Sequence, residues 1–263
     1  MKKIIFTIIA LVVTIAVSAQ TIKVYEYDDN GNLNSVPAYQ SSKEVKVIFT
    51  DKANDIIHEY VDLGLPSGTL WATCNIGAES PSENGLYFSW GDIEGHTSDY
   101  DFSWENYKYC NRSMSKLTKY TYQQNPTRVG DYTTDLDYCD DAAYMLWGHD
   151  WEMPTNYQIG ELINNCCWVL TNDYNGTGTS GCIAYKTKSE EDKGKRNIDG
   201  KVANEYTLND CHIFFPEGEI WSRILNTEER THVFVMNINS NQGVMGASTA
   251  RDCGLNIRPV RFR

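Results

Sequence analysis

The chain of 263 residues is 41% hydrophobic and carries 7 Trp, 17 Tyr and 8 Phe, enough apolar and aromatic surface to build a packed core. Its formal net charge is −12, from 23 Lys and Arg against 35 Asp and Glu. A polyanion repels phosphate groups, which excludes nucleic acid and anionic membrane surfaces as natural partners.

Residues 1–19 read as a secretory signal peptide. Lys2 and Lys3 form a basic start, residues 4–17 an apolar run, and Val17-Ser18-Ala19 a small-residue cleavage site before Gln20. No Cys follows the site, so no lipid anchor is indicated. No second long apolar run follows, so the mature chain is expected to lack a transmembrane segment and to work outside the cytoplasm: secreted, periplasmic or at the cell surface. Removing Lys2 and Lys3 would leave it at −14.

Residues 20–55 are expected to form a small β appendage. Residues 22–27 alternate like a strand, and Asn30-Gly31 is a hairpin turn signal. Asp28, Asn30 and Asn32 imitate the start of a calcium loop, but Gly31 is misplaced and no distal Glu follows. Residues 45–49 give a further strand and 51–55 a linker.

The main domain is expected over 56–263. Residues 59–78 predict two strands around Pro66-Ser67-Gly68, and 86–91 another strand. Residues 92–134 are polar, aromatic and turn-rich, and predict long surface loops. A first helix is predicted over 140–148, with Asp140 as its cap, Asp141 against the positive helix end and Gly148 at its stop. In Trp151-Glu152-Met153-Pro154-Thr155, the proline discourages a helix before it. Thr155 and Gln158 then form a capping box. Ile159, Leu162, Ile163 and Cys166 recur at helical spacing, and the chain turns β-like at Val169. Later strands are predicted over 182–186, 212–216, 220–222, 232–237 and 254–261, the last interrupted by Pro259.

Few of these residues carry the patterns of catalysis. Gly178-Thr179-Ser180-Gly181 is not a nucleophile elbow, and His58-Glu59 lacks the second His of a zinc helix. Cys139 with His149 is one conceivable nucleophile and base, but structural cysteine is the plainer reading. No two carboxylates are paired for glycoside chemistry. The eight cysteines include no CxxC, so zinc is not indicated; an exported chain with an even count permits disulfides, with the pairing left open. No catalytic role and no resident metal are therefore expected. The one candidate for calcium is the run Asp131, Asp135, Asp137, Asp140 and Asp141, where helix capping competes for the last two.

Blocks along the chain resemble a known family. Tyr60-Val61-Asp62-Leu63-Gly64-Leu65, Leu70-Trp71-Ala72-Thr73-Cys74-Asn75-Ile76-Gly77-Ala78 and Gly85-Leu86-Tyr87-Phe88-Ser89-Trp90-Gly91 come first. Then follow Asp140-Asp141-Ala142-Ala143, Trp151-Glu152-Met153-Pro154-Thr155, Cys166-Cys167-Trp168, Ile213-Phe214-Phe215-Pro216, Trp221-Ser222 and Ile257-Arg258-Pro259-Val260. Together, from about residue 58 to 263, they look like the Fibrobacter succinogenes major paralogous domain. The resemblance implies an exported protein of the kind common in gut Bacteroidetes. It also implies an α+β, C-type lectin-like domain: two helices packed on small antiparallel sheets, with long surface loops. The family usually carries Arg where Glu152 stands, so a salt bridge made by that Arg would be lost or remade. The Glu-Pro-Asn, Gln-Pro-Asp and Trp-Asn-Asp triplets of calcium-dependent lectins are absent.

Lectin-like folds place ligand loops ahead of the closing strand, which here means 221–252. Trp221, Arg223, Asn226, Asn237, Asn239, Asn241, Gln242, Ser248 and Arg251 offer a stacking ring, amides and guanidinium groups there, suited to a hydroxyl-rich or protein ligand. The expected function is a non-catalytic, adhesin-like protein that recognises a glycan or a host or surface protein through these C-terminal loops. The alternatives are an envelope or fimbrial assembly subunit, with 20–55 donating or accepting a strand, and a formylglycine-generating-type enzyme. The enzyme needs a late cysteine pair, whereas only Cys253 lies late, after Cys211.

Overall fold

The structure, a computed structural model, describes residues 58–122, 132–200 and 202–262, with the backbone of three short strands nearer the N-terminus. The chain divides into two compact units, Met1–Ile56 and Ile57–Arg263. In the first, β1 (Ala10–Leu11) pairs with β2 (Val24–Tyr27), and β2 pairs antiparallel with β3 (Leu33–Ser35), Tyr27 opposite Leu33. That pairing spans the Asn30-Gly31 signal. The expected leader cleavage site, the strand expected over 45–49, the expected linker and Asp131 lie outside the described residues.

The second unit begins with β4 (Tyr60–Val61) and β5 (Leu70–Ala72), joined through a turn in which Gly68 donates to the Leu65 carbonyl at 2.9 Å. Two helices follow, α1 (Ala142–Trp147) and α2 (Asn156–Asn165). Next come β6 (Cys166–Thr171), β7 (Gly181–Lys186), β8 (His212–Pro216), β9 (Gly218–Leu225), β10 (His232–Asn239), β11 (Gly243–Ala250) and β12 (Val260–Arg261). They make three antiparallel sheets, ordered β12-β5-β4, β6-β7-β8 and β11-β10-β9. The class is α+β. No helix among the described residues is long and apolar enough to cross a membrane.

The capping box forms as the sequence predicts. Thr155 Oγ1 accepts from the Gln158 N–H at 3.2 Å, and Gln158 Oε1 accepts from the Thr155 N–H at 2.8 Å. Ile159 and Leu162 are buried, and β6 starts at Cys166 rather than at Val169 because the backbone there already pairs with Lys186. The first helix differs in its cap. Asp141, not Asp140, is the N-cap, accepting from the Ala143 and Tyr144 N–H groups at 2.9 and 3.1 Å.

The stretch 86–91 is not a continuous strand. Its N–H groups go to separate partners, Tyr87 to the His96 carbonyl, Phe88 to Leu255 and Trp90 to Arg251, so no ladder propagates. The described part of the long loop, 92–122, has no helix or strand, yet it sends Tyr107, Tyr109 and Tyr120 into the core.

The largest departure lies in the C-terminal segment. Residues 218–250, expected to be mainly loop, form the three-stranded meander β9-β10-β11, with full eight-residue pairing between β10 and β11. Both faces of β10 are covered. Met236, Ile238 and Val244 join a core with Ile159, Leu162, Trp168 and Phe215. Val233, Val235 and Trp221 join a second core with Trp90, Tyr107 and Trp151. Alternation along a strand puts neighbouring residues on opposite faces, so β10 feeds both cores and reads as an almost unbroken apolar run.

Candidate functional site

Three of the residues expected to bind ligand are parts of the scaffold. Trp221 is fully buried, and its indole N–H donates to the Phe88 carbonyl at 2.7 Å. The Trp90 indole answers by donating to Ser222 O at 2.9 Å. Arg223 is buried, donates to Leu136 O at 2.8 Å and forms an ion pair with Glu152. Arg251 is fully buried and donates to the carbonyls of Tyr120 at 2.8 Å, Lys119 at 3.2 Å and Arg230. Burying a guanidinium demands such acceptors, and here main-chain oxygens supply them.

The amides mostly shape turns. Asn226 Oδ1 accepts from the Glu228 N–H at 3.0 Å, and Asn239 Oδ1 from the Asn241 and Gln242 N–H groups at 2.9 and 3.0 Å. Asn237 donates across to Glu219 at 3.0 Å. These two turns lie at opposite ends of an eight-residue strand, about 25 Å apart, so the expected residues do not converge on one face. Asn241, Gln242 and Ser248 are exposed.

Ser248 does line a cavity. A groove of about 560 Å³ runs between α2 and the β10–β11 pair, bounded by Ile159, Ile163, Phe234, Gly246, Ala247 and Ser248. Two glycines keep it open. A Cβ on Gly160 of α2 or on Gly246 of β11 would meet no atom within 4 Å. Asn156 and Asn164 stand along its helix side. Asn156 Oδ1 is shielded from water and accepts no hydrogen bond within the chain, an acceptor whose desolvation is uncompensated. The walls hold hydrocarbon, amides and one hydroxyl, and none of these groups titrates near neutral pH.

The groove was not legible in the sequence, because its walls are more than 70 residues apart. One local signal pointed to it. A glycine in mid-helix costs about 1 kcal/mol against alanine, and Gly160 sits in the middle of α2 with nothing packed where a side chain would go.

The acidic cluster carries its own cations. Asp137, Cys139 and Asp140 bring ligand atoms within 4.8 Å of one another, but the Lys119 ammonium lies 2.5 Å from both Asp137 and Asp140. Asp140 also accepts from the hydroxyls of Tyr120, at 2.7 Å, and Tyr109. Burial alone would raise its pKa; the hydrogen bonds from Lys119, Tyr109 and Tyr120 prevail and hold it below the usual carboxylate range. Asp141 shifts the other way: burial raises it, against the pull of the Met153, Tyr144 and Ala143 N–H groups and of Arg223. Asp135 lies 3.7 Å from Arg223. The described members of the expected calcium cluster are therefore engaged by side-chain cations and helix N–H groups.

All eight cysteines are free thiols. Cys166, Cys167 and Cys182 serve as small core residues, and burial pushes Cys167 up to about 11 and Cys182 up to about 12. Cys139 is exposed and is not joined to His149, whose ring stacks on Tyr144 at 4.6 Å.

The fold and the groove define an α+β domain with an uncharged cleft against its C-terminal sheet. No protein-family model matches the sequence, no curated protein matches it, and no solved structure matches the fold.

Proposed function

We propose that the protein is an exported, non-catalytic binding module of the C-type lectin-like class, and that it recognises a glycan or a surface protein at the groove beside α2. The observation that carries this reading is the groove itself: an open, uncharged cleft lined by hydrocarbon, amides and the Ser248 hydroxyl, with no base on its walls. Apolar walls with a few placed polar groups suit binding and orientation of a ligand. The two helices, the small antiparallel sheets and the long loop over 92–122 support the lectin-like reading, and the leader-like N-terminus supports export. The acidic balance suits neutral or basic ligands better than phosphorylated ones.

The test is binding to a panel of glycans and host glycoproteins, with calcium and with chelator, for the wild type and for Gly246→Phe. The substitution introduces a ring into open space and fills the groove. Binding to some panel members, lost in Gly246→Phe at unchanged melting temperature and indifferent to chelator, is the expected result. Binding untouched by the filled groove, or turnover of a panel member, would overturn the proposal.

A further inference from the structure

The groove is flanked by a strand edge with no partner. β11 lies at the end of the β11-β10-β9 order, and among the described residues no backbone group of 244–249 bonds to anything beyond β10. Natural edges of this length are blunted by lysine, proline or a bulge. β11 has none of these. Its sequence, Gly-Val-Met-Gly-Ala-Ser-Thr-Ala, is uncharged and free of proline, and its register with β10 is unbroken over all eight pairs. The irregularity of this sheet lies on the other side, between Val233 and Val235 where β10 meets β9.

The edge and the groove are two parts of one surface. Gly246 and Ser248 share a face with Phe234 and Met236, the face on which α2 packs. A strand added outside β11 would place its own alternate side chains on that face, next to the space that Gly160 and Gly246 leave empty. The opposite alternate residues would lie beside Met245 and Ala247.

The charges at the two ends set a direction. Arg196 lies at the Gly243 end, where its guanidinium donates to the Gln242 carbonyl at 2.7 Å and pairs with Asp199 at 3.0 Å, so that this end is close to neutral. The exposed Glu228 and Glu229 lie at the other end of the sheet with Arg230, in the turn before His232, which pairs with Ala250; two carboxylates against one guanidinium leave this end the more negative of the two. A segment running antiparallel to β11 brings its N-terminal end toward the carboxylates and its C-terminal end toward the guanidinium. Between them the walls are uncharged.

We infer that β11 is a strand-addition site. An extended peptide segment of another protein, with an uncharged β-forming core, pairs antiparallel along residues 245–249 and seats alternate apolar side chains in the groove. Backbone hydrogen bonds supply the attachment, and the groove supplies the selection. This inference rests on the groove being the binding site and names the ligand as a peptide rather than a glycan.

The experiment uses the full chain and two synthetic decapeptides that share a core of three Val-Thr repeats. One carries Lys-Lys before the core and Asp-Asp after it; the other has the charged pairs exchanged. Amide hydrogen exchange of 245–249 and binding affinity are read together. The first peptide should slow exchange at alternate amides of that stretch and bind at least tenfold tighter than the second. Gly246→Phe should weaken it at least tenfold while retaining its melting temperature. Unprotected β11 amides at saturating peptide would overturn the inference. So would protection of those amides in the peptide-free monomer, which would assign the edge to the chain itself, or protection on dimerisation, which would assign it to a second copy. Glycan binding that is lost in Gly246→Phe while neither peptide protects β11 would overturn the peptide alone and leave the binding-module reading intact.

Discussion

Glu152, in the segment entering α2, forms an ion pair with Arg223 of β9, 71 residues further along the chain. The same backbone region is stitched by the Arg223 N–H, which donates to Pro154 O at 2.8 Å. The pair therefore fixes how α2 enters against the C-terminal sheet. Glu152→Ala should cost about 1–3 kcal/mol, discounted because the glutamate is partly exposed. Urea unfolding should show a lower midpoint at unchanged slope. An unchanged midpoint would mean that Asp135 and Asp141, both 3.7 Å from Arg223, suffice to hold it.

Trp221→Ala should unfold the protein more readily by about 3–5 kcal/mol, because it empties a fully buried site between two strands. The sequence alone suggested a loss of binding with the fold intact. Thermal melting of the purified variant separates the two: a near-native midpoint would return Trp221 to the ligand.

Asp140 gives the protein an acid-sensitive element. Its folded carboxyl titrates below that of the unfolded chain, so its ionised form contributes stability above the unfolded value, and that contribution is lost as pH falls through the folded one. Asp141 has the opposite sign, since burial raises it and its ionisation opposes folding as pH rises through its folded value. Asp140→Asn should cost about 2–4 kcal/mol near neutral pH, because it removes the charge and turns one of the two acceptor oxygens that serve Lys119, Tyr109 and Tyr120 into a donor. The variant should also show a flatter fall in melting temperature than the wild type does as pH drops below the ordinary carboxylate range. Parallel acid limbs would place the titration elsewhere.

Calcium should leave the melting temperature where chelator puts it. Lys119 already bridges Asp137 and Asp140, and an ion would have to displace it. A rise that grows with calcium concentration would signal a bound ion by mass action.

Gly160→Ala should stabilise α2 by about 0.5–1 kcal/mol, since its Cβ would project into open space and the helix gains a better former. The same methyl narrows the groove, so ligand affinity should fall as stability rises. Affinity unchanged by the methyl would move the ligand away from this part of the helix.

What could be read from the sequence was local. The Thr155–Gln158 capping box spans three residues, and the Pro66-Ser67-Gly68 turn carries its own chemistry. The apolar spacing of α2 also survives intact. The long-range features were hidden. β11 reads as a loop because Gly-Val-Met-Gly-Ala-Ser-Thr-Ala has weak strand propensity, and only pairing with β10 makes it a strand. Arg251 looks like a surface cation until the Lys119, Tyr120 and Arg230 carbonyls are brought around it from two distant segments. Asp140 and Asp141 have the same side chain and adjacent numbers, yet one faces tyrosines and the other a helix end.

The pairing of β5 with β12 bears on how this domain is made. Val260 lies opposite Trp71, and the Ala72, Ile76, Phe88 and Trp90 N–H groups bond to the carbonyls of Pro259, Ile257, Leu255 and Arg251. These four main-chain partners of the 70–90 region are translated 161 to 187 residues after the groups that they pair with. During synthesis that region, with Trp71, Phe88 and Trp90 in it, must wait with its aromatic rings unburied. Topology of this kind slows folding and prolongs the interval in which aggregation competes. If the protein is exported as proposed above, late closure by β12 leaves the chain without its core until it has crossed the membrane.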